Sequence, residues 1–73
     1  MRALVERTDS FGDKSRFWIT GIDHKACWKQ IDILQECSNE CREGNYYDIL
    51  VWEEFGIYRS AFTGQILTNA DII

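Results

Sequence analysis

Only one stretch of this chain repeats its apolar residues at a helical period, and it lies between two stretches that alternate. Cys27, Ile31, Leu34 and Cys41 fall at steps of 4, 3 and 7, flanked by Trp28 and Cys37. A lone amphipathic helix has no second helix to pack against, so this stripe must face a sheet. At 73 residues the chain holds one small core and therefore one domain, residues 1–73. Asp23 is placed to cap the helix by accepting from its first free N–H groups, and Gly44 to end it in a left-handed turn. The predicted rod over residues 23–44 is roughly 30 Å long at ~1.5 Å per residue, with Ser38 and Asn39 marking where its last turns fray or bend.

The strands are bounded by glycines, because the chain has no proline. Residues 3–8 alternate and residues 9–15 are rich in turn formers. Residues 16–20 supply a hairpin partner, with Phe17 and Ile19 on one face and Arg16, Trp18 and Thr20 on the other. Residues 46–52 are nearly continuous in aromatic and β-branched side chains, as in an inner strand covered on both sides. Glu53, Glu54, Phe55 and Gly56 read as a turn, residues 57–62 as the returning strand, and residues 66–68 as a short further one. The expected fold class is α+β: one long helix packed on an antiparallel sheet of four strands, or five with the short one, in chain order β-β-α-β-β. The face of the sheet away from the helix has nothing to cover it. Trp18, Trp52 and Tyr58 are the candidates to occupy that face, where exposed aromatics in number mark an interface or a homodimer.

Cys27, Cys37 and Cys41 are an odd set that closes no disulfide framework, and the opening residues lack the long apolar run of a signal peptide. A reducing, cytoplasmic setting is expected. With His24, the three thiols are the residue types of a zinc site. On a continuous helix His24 and Cys41 would stand about 25 Å apart, so the cysteines are assigned to packing and no metal is expected. A Cys27–His24 nucleophile pair lacks an orienting third group. The chain contains no G-x-S-x-G, H-E-x-x-H or glycine-rich phosphate loop, so neither catalysis nor a cofactor is expected. Lys14, Arg16, Phe17 and Trp18 interleave base and aromatic in the manner of a single-strand nucleic-acid platform, and equally of an ordinary hairpin strand.

Charge is the most informative feature. Residues 1–29 carry six bases against four acids, and the remainder eight acids against Arg42 and Arg59, for a net charge of −4. An acidic second part repels nucleic-acid backbones and attracts a basic protein surface. Within the helix the charges oppose its own dipole: Lys25 and Lys29 lie near the positive end, and Glu36, Glu40 and Glu43 near the negative one. Asp32, Glu36, Glu40 and Glu43 form a ridge at steps of 4, 4 and 3, in which each like-charged i,i+4 pair costs about 0.2–0.5 kcal/mol. Either the ridge is a solvated face kept for solubility, or a basic partner relieves its repulsion. Glu53 and Glu54 beside Trp52 and Phe55 add a second acidic, aromatic spot. The leading expectation is a non-enzymatic binding module that docks on a larger protein through Asp32, Glu36, Glu40, Glu43, Trp52, Glu53, Glu54 and Tyr58. Alternatives are an acidic nucleic-acid mimic that blocks a restriction or CRISPR protein, a small single-strand binder, and a zinc or thiol protein.

An acidic, proline-free chain of this length, with a β-hairpin and a helix on a small sheet, resembles the small phage-encoded regulators of host bacterial RNA polymerase. The likeness spans the whole chain and rests on size, charge and layout rather than on an aligned motif. It implies that the partner is a polymerase subunit, and that binding blocks initiation or alters termination in the host cytoplasm.

Overall fold

A computed structural model describes residues 1–68, and within them one helix lies on a five-stranded antiparallel sheet. In chain order the elements are β1 (Arg2–Thr8), β2 (Lys14–Thr20), α1 (His24–Glu40), β3 (Tyr46–Glu54), β4 (Ile57–Ser60) and β5 (Ile66–Leu67). The sheet order is β2-β1-β3-β4-β5, with β3 at its centre. The α+β class and its chain order are as the sequence led one to expect, and the short fifth strand forms.

The first hairpin turns on Asp9, whose carboxylate accepts from the N–H groups of Phe11 and Asp13, both at 2.9 Å, while Gly12 takes a left-handed φ of 85°. Asp23 caps α1, accepting from the Ala26 N–H at 2.8 Å. The helix ends earlier than the glycine pattern suggests. Cys41 is the cap and Arg42, at φ 55°, takes the left-handed position assigned to Gly44. The Arg42 N–H reaches the Asn39 carbonyl and the Glu43 N–H the Ser38 carbonyl, at 3.2 and 3.0 Å, which satisfies two carbonyls of the last turn.

That early stop corrects the buried stripe. Cys27 and Ile31 are buried and Leu34 packs against them, but the fourth position is Ser38, and Cys37 and Cys41 are exposed. Cys41 lies beyond the last helical residue, so the period no longer turns it toward the sheet. Ser38 does not fray. Its hydroxyl accepts from the Asn45 N–H at 3.0 Å, and neighbouring Gln35 donates to the Asn45 carbonyl at 2.7 Å and accepts from the Tyr47 N–H at 3.2 Å. These bonds fasten the helix end to the start of β3.

The core consists of Ala3 and Val5 from β1, Ile49 from β3, and Cys27 and Ile31 from α1. Gly21 lets the helix approach this closely, since a Cβ there would stand 2.8 Å from the Cys27 sulfur and 3.1 Å from the Cys27 nitrogen. Burial pushes the Cys27 thiol above the ordinary thiol range, outweighing the amino terminus, which lowers it, and the Asp23 carboxylate adds a smaller push upward.

A β-bulge decides which way the end of β3 faces. Leu4 pairs with Val51 and Val5 with Ile49, so Leu50 is the extra residue and the alternation reverses after it. Val51 and Glu53 therefore join Leu4 on the far face, and Trp52 and Glu54 turn to the helix side. The turn that follows is Phe55-Gly56 alone. Both have positive φ, 53° and 79°, as a two-residue hairpin of right-handed twist requires. Glu53 and Glu54 are thus strand residues, paired with Tyr58 and Ile57, and not part of the turn. β4 stops at Ser60, where its hydroxyl accepts from the N–H groups of Phe62 and Thr63 at 3.2 and 3.3 Å and turns the chain away.

Candidate binding groove beside an acidic helix

The helix rests over β1 and β3, and among the described residues nothing covers the helix side of β4 and β5. There a groove of about 570 Å³ opens, floored by Ile57, Arg59 and Ala61 and walled by Trp52, His24 and Phe55. The wall is an aromatic stack. Trp52 meets His24 edge-on at 4.3 Å between centroids and Trp28 edge-on at 6.2 Å. The apolar side chains around the groove are left to solvent: Ile57 is 46% exposed, Ile66 64% and Phe55 93%. An exposed apolar patch gathered in one place marks a contact surface more than scattered exposed residues do.

The carboxylate ridge adjoins this groove. At 100° per residue Asp32, Glu36 and Glu40 fall on the side of α1 opposite Cys27 and Ile31, and all three are exposed. Among the described residues the ion pairs are Arg2–Glu53, Lys14–Glu6 and Arg16–Glu6, and none involves the ridge. Asp32 stands one helical turn after Trp28, which touches the aromatic wall, and at this end Lys25 and Lys29 share the outer side of α1 with the ridge. Glu43 lies past the helix end, where it accepts from the Asn45 side-chain amide at 2.9 Å.

The residues singled out in the sequence thus separate into three places. Asp32, Glu36, Glu40 and Glu43 follow the outer side of the helix and its exit. Trp52 and Glu54 line the groove, whereas alternation without a bulge would have put Trp52 on the far face. Glu53 and Tyr58 lie on that far face. There the Arg2 guanidinium pairs with Glu53 at 3.3 Å, lies 3.4 Å from the Tyr58 hydroxyl and sits 4.7 Å over the Trp18 ring. Trp18 and Tyr58 meet edge-on at 6.0 Å although their strands are separated by β1 and β3, so they arch over Leu4 and Val51 and bury them. The far face thus covers its own centre, while Trp18 is itself 36% exposed. The ridge and the Trp18–Tyr58 arch point in opposite directions and cannot meet one flat partner, whereas the ridge and the groove can.

The packing role assigned to the cysteines holds for Cys27 alone. Among the described residues no three His, Cys, Asp or Glu side chains converge on a site for a metal ion, and no helix is long and apolar enough to cross a membrane. His24 and Ile57 line the groove although the sequence did not mark them as binding residues, Phe55, noted beside Trp52, lines it too, and Trp28 touches Trp52. Their only signal was aromatic and β-branched density near Trp52. No protein-family model matches this chain, nor does any curated protein or solved structure.

Proposed function

We propose that this chain is a non-catalytic binding module that docks on a basic, partly apolar patch of a larger protein. The single observation behind this reading is the continuity between unpaired carboxylates on α1 and the open aromatic groove on β3 and β4. The carboxylates steer a basic surface toward the module, and Trp28, Trp52, Phe55 and Ile57 supply the desolvated contact that holds it. The candidate partner is bacterial RNA polymerase, and the effect is inhibition of initiation or altered termination, as the resemblance to phage-encoded regulators implies.

The test combines immobilised protein with purified bacterial RNA polymerase and an in vitro transcription assay. Binding and inhibition that collapse in Glu36→Lys plus Glu40→Lys, and again in Ile57→Asp, are the expected results. Undiminished inhibition in both variants would remove the ridge and the groove from the mechanism. Absence of polymerase binding by the unaltered chain would remove polymerase as the partner.

A further inference from the structure

The other edge of the sheet carries a second surface, different in chemistry from the groove. Among the described residues β2 is a seven-residue edge strand, paired only with β1. The Gly21 N–H bonds to the Met1 carbonyl at 3.0 Å and the Asp9 N–H to the Asp13 carbonyl at 2.9 Å, so the odd-numbered residues of β2 bond toward β1. The backbone N–H and C=O groups of Lys14, Arg16 and Trp18 therefore point outward. Thr20 shows the same parity, since its carbonyl is taken from outside by the Gln30 side chain at 2.6 Å. Beside this edge, on the helix side, lies an apolar cleft of about 380 Å³ formed by Phe17, Ile19, Ile33 and Leu34 and closed at one end by Gln30. Ile33 is 53% exposed. The flank of α1 over the cleft, Ala26, Gln30, Ile33 and Cys37, carries no charge.

On the opposite side of the strand one carboxylate, Glu6, serves two cations, Lys14 at 3.7 Å and Arg16 at 3.3 Å. The edge strand itself carries these two cations and no carboxylate, with Glu6 on β1 and Asp48 on β3 behind them. A second copy of this chain is a poor occupant. It would bring another Lys14 and Arg16 to the same face, and with strands ~4.8 Å apart it would leave the two helices about 19 Å apart, against 8–10 Å for packed helices. We infer that β2 accepts an extended segment of another protein as a sixth strand, with apolar side chains in the Phe17–Ile33 cleft alternating with acidic ones opposite Lys14 and Arg16. Backbone hydrogen bonds to Lys14, Arg16 and Trp18 then hold the segment, and the cleft and the two edge cations select it. The lysine and arginine at the edge deter self-pairing and favour an acidic strand.

The probe is a labelled peptide, Val-Thr-Ile-Glu-Val-Glu, read by fluorescence anisotropy on the full chain, with Val-Thr-Ile-Lys-Val-Lys as its counterpart. Amide NMR spectra follow residues 14, 16 and 18. The acidic peptide should bind about tenfold more tightly than the lysine peptide, lose that margin at high salt, and shift the amides of Lys14, Arg16 and Trp18. Ile33→Asp, at an exposed position that tolerates the change, should weaken binding about tenfold. Equal binding of the two peptides, no binding of either, or shifts confined to the groove around Ile57 would overturn the inference. So would a dimer in sedimentation that Ile33→Asp dissociates, since the edge would then belong to a second copy.

Discussion

On the face away from the helix, Trp18 and Tyr58 lean together over Leu4 and Val51, and Arg2 lies against the indole with Glu53 as its counter-ion. On the helix side of β4 and β5, Ile57, Ile66 and Phe55 have no comparable lid among the described residues. α1 covers neither region, touching the groove only at its wall through His24 and Trp28, and both are rich in large apolar side chains. They differ in reach. The far face has long aromatics on flanking strands with a cation between them, so its own side chains span the strands they must cover. The groove has short aliphatic side chains on the outer strands and its aromatics on one wall only. The same composition thus makes a face with a closed centre in one place and an open groove in the other.

The largest test of this contrast is Trp18→Ala. Removing the arch exposes Leu4 and Val51 and should lower unfolding stability by about 2–3 kcal/mol in urea denaturation. Ile57→Ser in the groove should change it by less than about 0.5 kcal/mol while abolishing partner binding. Equal losses at the two sites would end the distinction between a structural and an available apolar surface. Gly21→Ala tests how tightly the helix-covered region is closed. Its new methyl meets the Cys27 sulfur and backbone nitrogen, and a loss of about 1–3 kcal/mol is expected by the same measurement.

A smaller effect follows from the buried thiol. The folded protein holds Cys27 protonated above its ordinary value near 9, so the unfolded chain loses this proton first as pH rises. The contribution is fully present below the unfolded thiol's pKa and is lost on passing upward through the folded one. Unfolding midpoints should accordingly fall at alkaline pH, and the Cys27→Ala variant should lose that part of the dependence. The smallest shift is expected for Glu36→Gln plus Glu40→Gln. Relief of like-charge repulsion should raise the thermal midpoint slightly, and binding to a basic partner should drop. A firmer protein that keeps its full biological effect would show that the ridge serves only solvation.

Much of the fold was legible because local rules governed it. The Asp23 cap, the stripe of Cys27, Ile31 and Leu34, the hairpin around Asp9 and Gly12, and the apolar density of residues 46–52 each follow from short-range chemistry. The site was legible only in part. The acidic ridge is a matter of helical spacing, and its place opposite the buried stripe is fixed by that spacing. The groove was hidden because Trp52 reaches it through the bulge at Leu50, and nothing within residues 46–54 announces the extra residue. Cys41 was misplaced for a related reason: Arg42 adopted the left-handed turn two positions before the glycine that invited it.

The sequence by itself determined that one helix would lie on one antiparallel sheet and that the helix would turn its carboxylates to water, because periodicity and capping act within a few residues. Only the tertiary structure decided which aromatics close a face and which stand open, because that depends on strand order, register and one inserted residue. Those are properties of pairs of strands brought together from distant parts of the chain.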